Sequence, residues 1–101
     1  MDEDDLLRTI AARAGVLLIG EPPLIEWRDA AALIDVIDAA GATILGIDGF
    51  RRVGNHIAPV MAMIADFSQA TSSGESVEAA RRFFVTIGDA PDHLFEFVLK
   101  D

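Results

Sequence analysis

The sequence predicts an α+β domain in which a small sheet of two or three strands packs against three to four helices. Three observations carry that expectation. From Trp27 to Ile37, apolar residues recur at helical spacing, with Trp27, Ala30, Ala31, Leu33, Ile34 and Ile37 on one stripe and Gly41 just beyond it. Ala42-Thr43-Ile44-Leu45-Gly46-Ile47 follows at once, free of charge and partly β-branched, as a buried strand would be. Leu94-Phe95-Glu96-Phe97-Val98-Leu99 supplies a second, closing strand. A chain of 101 residues, 51% of them hydrophobic, supports one core in one domain and leaves no room for a separate cofactor domain.

The elements follow in order. Asp2-Glu3-Asp4-Asp5 suits the positive end of a helix, and Leu6, Leu7, Ile10 and Ala14 then share a face before Gly15, so a first helix is expected over about residues 3 to 14. Residues 1 to 5 can equally be an acidic tail. Val16-Leu17-Leu18-Ile19 is apolar but too short to distinguish a buried strand from an extended packing segment, and Gly20-Glu21-Pro22-Pro23 breaks regular structure after it. The main helix is expected from Glu26 to Ala40. The strand after it should run into a turn at Asp48-Gly49, and Arg51 to Ala58, containing Gly54-Asn55, has the look of a loop. After Pro59, the spacing of Val60, Met63, Ile64 and Phe67 fits a helix, while Val60, Ala62 and Ile64 also alternate as a strand would, so residues 59 to 68 admit both. A polar stretch, Ser68 to Gly74, precedes a helix over Ser76 to Ile87 with its apolar face at Val77, Ala80, Phe84 and Ile87 and a stop at Gly88. Asp89-Ala90-Pro91-Asp92 should turn into the closing strand.

Composition narrows the functional classes. There are seventeen acidic residues against eight basic ones, a net charge of −9, and setting aside the four acids among the first five residues still leaves −5. Such a surface repels phosphate backbones and anionic lipid and steers basic proteins toward it, so neither nucleic acid nor membrane is an expected partner. With no cysteine, the chain has no disulfide framework, no thiol catalysis and no thiolate metal site. No apolar run reaches membrane-spanning length, and the first residues are acidic where a secretory signal would be basic, so a soluble cytoplasmic protein is expected.

Candidates for chemistry are few. Asp89, Asp92 and His93 offer metal-ligand types, but they are better read as a hydrophilic turn before a strand. Gly46-Ile-Asp-Gly-Phe-Arg-Arg-Val-Gly54 places glycines and two arginines after a strand, yet it lacks the lysine and hydroxyl of a phosphate-binding P-loop and the spacing of a dinucleotide fingerprint. Arg51 and Arg52 are better read as partners for the chain's own acids or for an acidic group on another protein. Ser68, Thr71, Ser72, Ser73 and Ser76 provide hydroxyls, but nothing local to His56 or His93 completes a nucleophile and base. Trp27 and Phe50 have the chemistry of interface anchors, although such positions commonly serve a core. No cofactor, metal or catalytic residue is therefore expected.

The run Trp27-Arg-Asp-Ala-Ala-Ala-Leu-Ile-Asp-Val-Ile-Asp-Ala-Ala-Gly41 followed by Ala-Thr-Ile-Leu-Gly-Ile-Asp48, with Ser76-Val-Glu-Ala-Ala-Arg-Arg-Phe-Phe84 and Leu94-Phe-Glu-Phe-Val98 later, resembles the immunity protein 40 family of bacterial polymorphic-toxin systems. The similarity spans about residues 26 to 99 and departs from the family pattern where a second tryptophan is expected, Phe67 being the nearest aromatic. It implies a non-enzymatic protein that binds a cognate, basic toxin and blocks it. The acids expected to face that toxin are Asp48, Asp66, Glu75, Asp89 and Asp92, in loops or near helix ends, with Arg51 and Arg52 as further partner-binding candidates. The alternative is a structural or regulatory interaction domain, homodimeric in one form, that recognises a protein through an apolar patch around Trp27, Phe50 or Phe67. A third class, a small enzyme, requires His56 or His93 to converge with other groups in a pocket.

Overall fold

In a computed structural model, residues 3–101 are described, and Met1 and Asp2, the start of the acidic N-terminal run, lie outside them. Helix α1 spans Glu3–Ala14 as its acidic start and apolar spacing require. Val16 to Leu24 is irregular, with a single bridge in which Ile19 and Leu24 exchange backbone hydrogen bonds at 2.8 and 2.9 Å. The short strand β1, Ile25–Glu26, leads through a 3-10 turn, Trp27–Asp29, into helix α2, Ala30–Ala40, which ends at Gly41. Strand β2 (Thr43–Val53), strand β3 (His56–Asp66), helix α3 (Ser73–Ile87) and strand β4 (His93–Lys100) complete the order.

Three expectations change. Asp48-Gly49 is not a turn: β2 runs straight through it. Arg51 to Ala58 is not a loop, because Gly54-Asn55 forms a two-residue hairpin turn between Val53 and His56. Gly54 has φ +58°, and a positive φ at the first turn position is what the twist-compatible type II′ hairpin demands and side chains resist. Residues 59 to 66 take the strand alternative rather than the helix, since the hairpin delivers them back along β2. The sheet consequently has four strands among the described residues, not two or three, alongside three α-helices and the 3-10 turn.

All pairings are antiparallel, in the order β1-β4-β2-β3. One side of this sheet holds the core. Phe95, Phe97 and Leu99 of β4, Ile44 and Ile47 of β2 and Ile25 of β1 join Leu7 and Ile10 of α1, Leu33, Ile34 and Ile37 of α2, and Val77 and Ala80 of α3 in one buried cluster. Ile44 and Ile47 have odd spacing for one face. A register irregularity between Ile44 and Gly46 corrects it, and the amide of Ile44 donates to the buried Ser76 Oγ at 3.0 Å. That hydroxyl donates in turn to the Ser73 carbonyl at 2.7 Å, which ties the first turn of α3 to the sheet. Ser72 caps α3 by accepting from the Glu75 amide at 3.1 Å. Phe84 then packs edge-on to Phe95, with ring centres 4.9 Å apart, and stacks on Phe97 at 6.0 Å.

A second irregularity lies between Asp48 and Phe50 of β2, whose partners on β3 are Ile64 and Pro59. Gly49 faces this bulge under pressure: a Cβ there would stand 2.5 Å from Met63 Cβ and 3.2 Å from Phe95 Cε1. Pro59 and the bulge both interrupt β3, which is an edge strand with no charged side chain from Ile57 to Ala65.

Candidate functional site

The helices all pack on one face, so alternation along the strands assigns the residues of the other. Asp48, Phe50 and Arg52 of β2, Leu94, Glu96 and Val98 of β4, Ile64 and Asp66 of β3 and Glu26 of β1 have the parity opposite to the core residues. The pairing register sets them in rows across the strands. Ile64, Asp48 and Glu96 form one row; Pro59, Phe50, Leu94 and Glu26 form the next; Ile57 and Arg52 follow. Asp66 and Val98 flank Gly46 on the far side of the first row. Among the described residues no helix of the core layer covers this face; Leu94 in its central row is only 2% exposed, Phe50, Val98 and Asp48 are half-buried, and Ile64 is 44% exposed.

Electrostatics divides the face. Asp48 and Glu96 are direct cross-strand neighbours, an arrangement that is destabilising for like charges. Partial burial pushes the Glu96 carboxyl above its ordinary range, and the charges of Asp48 and then Asp4 push it further. Asp66 lies at the same end, where Ser68, through its side chain and its amide at 2.8 Å, holds the carboxyl below the usual range. At the opposite end, Glu26 binds two guanidiniums, Arg52 at 3.4 Å and Arg28 at 2.8 Å. One half of the face is thus acidic, the other mixes the Arg28 and Arg52 guanidiniums with Glu26 and with Asp92, whose carbonyl pairs with the Arg52 amide, and Phe50 with Leu94 and Pro59 lies between.

The candidate residues from the sequence do not gather at one place. Asp48 and Asp66 belong to the acidic half of this face, and Asp48 sits within a strand rather than in a loop. Arg52 belongs to the other end, beside Glu26. Arg51 is exposed and has the other parity, beside His93 on β4 and Ala58 on β3. Glu75 is occupied locally, accepting from the Thr71 amide at 3.3 Å and its hydroxyl at 2.5 Å, and these bonds hold its carboxyl below the ordinary range. Asp89 and Asp92 lie exposed between α3 and β4, and the Asp92 carbonyl accepts from the Arg52 amide at 3.3 Å. Two participants were missed, Glu96 and Glu26. The first had a signal, a lone acid at an alternate position of an otherwise apolar strand; the second was absorbed into a helix start.

Of the aromatics weighed as a partner patch, Trp27 and Phe67 pack against the core, whereas Phe50 is on the open face. His56 starts β3 and His93 starts β4, on opposite sides of β2 and facing Val53 and Arg51 respectively, and His93 Nδ1 is buried without a partner. On the helix side, Trp27, Ile34, Phe84 and Val85 line an apolar cleft of about 500 Å³. Its two arginines are already engaged, Arg28 by Glu26 and Arg81 by Asp35 at 2.8 Å. Among the described residues, no three His, Asp or Glu side chains come together as a metal site would require, and no helix is long and apolar enough to cross a membrane. Comparison with family models, curated proteins and solved structures finds no match to this chain.

Proposed function

We propose that this protein is a non-enzymatic binding protein that neutralises a basic protein, in the manner of an immunity protein and its cognate toxin, through the acidic half of its open sheet face. The observation that carries this is the cross-strand pair of Asp48 and Glu96 beside the exposed Ile64. Two carboxylates opposed on neighbouring strands cost the free protein stability. A lysine or arginine placed between them reverses that cost, so part of the binding energy comes from repulsion relieved. Ile64 and Phe50 provide apolar contact beside the charges, the mix of desolvated anchor and charge that makes interface hot spots. The net charge of −9 raises the encounter rate with a cationic partner. Blocking requires no chemistry from this chain: it need only cover the toxin's basic active surface.

Co-expression with a basic toxin encoded beside it tests the proposal, with growth and complex formation as readouts. The wild-type chain should restore growth, and the Asp48→Asn, Glu96→Gln double variant should bind at least ~10-fold more weakly, the loss of about one close charge pair. No complex with the wild-type chain, or equal binding by the neutralised variant, would refute it.

A further inference from the structure

On the helix side of the sheet, the cleft lined by the 3-10 turn, α2 and α3 has a wall at odds with the composition of the chain. Seventeen acids stand against eight bases overall, yet the only charged residues lining this cleft are two arginines, Arg28 and Arg81. The acids that pair with them, Glu26, Asp35 and Asp38, are not part of its wall. The rest of the lining is apolar. Ala30 and Ala31 carry no side chain beyond Cβ, so the first turn of α2 leaves the space open beside Trp27, Ile34, Phe84 and Val85. The cleft is also preformed, because Phe84 packs on Phe83, Phe95 and Phe97 while Arg81 of α3 binds Asp35 of α2 at 2.8 Å. An apolar cavity with a few fixed polar groups is the usual form of a small-molecule site, and about 500 Å³ is within the usual range.

We propose that this cleft binds a small amphipathic anion, an apolar chain bearing one carboxylate, with the head on Arg28 and the body against Trp27, Ile34 and Phe84. At roughly 30 Å³ for a group the size of a water molecule, the cleft has room for a body on the order of ten carbons. The two arginines are paired differently. Arg81 has Asp35 at 2.8 Å from Nη1 and Asp38 at 3.9 Å from Nη2, so both of its terminal nitrogens face acids. Arg28 meets Glu26 through Nε alone, at 2.8 Å, and no other described residue pairs with it. Its two terminal nitrogens therefore remain as donors, in the planar fork that a carboxylate fits with two hydrogen bonds. The Arg28 side chain is 78% exposed, and an ion pair so exposed is weak, so Glu26, which also meets Arg52 at 3.4 Å, can share the guanidinium with an incoming anion. A cationic amphiphile would meet two like charges and no acid on the wall. The site lies among the helices, away from the open sheet face, and does not rest on the toxin proposal.

Trp27 is the sole tryptophan and the chain has no tyrosine, so its fluorescence reports on the cleft directly. Decanoate, titrated into the purified chain below its micelle concentration, should shift Trp27 emission saturably with a Kd of roughly 100 µM or tighter, and calorimetry should give the same value. Decyltrimethylammonium, which keeps the chain and reverses the charge of the head, should bind at least ~10-fold more weakly. Arg28→Met keeps an apolar stem and removes the fork, and Ala31→Phe fills the cleft; each should raise the decanoate Kd at least ~10-fold, with circular dichroism verifying that both variants are folded. Asp48→Asn with Glu96→Gln should bind decanoate as the wild-type chain does. The proposal is overturned by a chain that shows no saturable binding of decanoate, by equal binding of the two amphiphiles, or by binding that Arg28→Met and Ala31→Phe leave unchanged. A chain that captures a basic toxin but ignores decanoate removes this site and leaves the toxin proposal standing; the opposite result does the reverse.

Discussion

Glu96 is the residue at which stability and binding pull apart. Its carboxyl is raised, first by burial and then by Asp48, so the folded state holds a proton more readily than the unfolded chain does. The stability this group contributes is therefore complete below the unfolded carboxylate pKa and is lost as pH rises through the higher folded value. Glu96→Gln should melt at a higher temperature than the wild-type chain at pH 7, and the difference should shrink as pH falls through the carboxylate range; thermal melts at several pH values check it. Ser76 is the converse, a buried polar group that is fully used. Its Oγ takes the Ile44 amide where β2 goes out of register and also caps the Ser73 carbonyl. Ser76→Ala leaves a buried amide unsatisfied and should cost about 1–3 kcal/mol in chemical denaturation. Glu96 left a trace in the sequence, as the lone acid of an otherwise apolar strand, but its neighbour Asp48 did not show there, and Ser76 left none. Ser76 read there as one hydroxyl among several because the irregularity it serves depends on pairing between residues far apart in the chain.

At the scale of elements, the helices were legible and the hairpin was not. Regular apolar spacing with a glycine stop marked α1, α2 and α3 to within a few residues, since a helix is built from local hydrogen bonds. Strands β2 and β3 depend on one another, and their turn signal, Gly54-Asn55, was hidden by a second apparent one at Asp48-Gly49. Gly49 is in the strand for a different reason: Met63 and Phe95 leave no space for a side chain there. Gly49→Ala should accordingly destabilise the protein by about 1–3 kcal/mol through overpacking, with the loss visible in denaturant midpoint. Residues 59 to 66 show the same dependence, because Val60, Met63, Ile64 and Phe67 satisfy a helical period while Val60, Ala62 and Ile64 satisfy a strand. Only the partner strand decides between them.

At the scale of the molecule, charge acts as a field whose arrangement the sequence does not display. The net −9 and the resulting preference for a basic partner follow from composition. What composition omits is that the chain's acids and arginines are sorted across one face by strand parity, with Asp48 and Glu96 far apart in sequence and adjacent in space. If a cationic protein docks there, its association rate should fall steeply as salt rises while its dissociation rate changes little, which stopped-flow measurement at several ionic strengths would read directly. A partner held by the apolar residues alone would show flat association rates. The position of β4 has a consequence of another kind. It enters the sheet between β1 and β2, although it follows every other element in the chain. Until β4 is made, α3 can pack on β2 and the helices on one another, but β1 has no strand to pair with and the inner edge of β2 stands open as well as the uncharged β3 edge. The four-stranded sheet can therefore be completed only after His93–Lys100 are available to bridge β1 and β2.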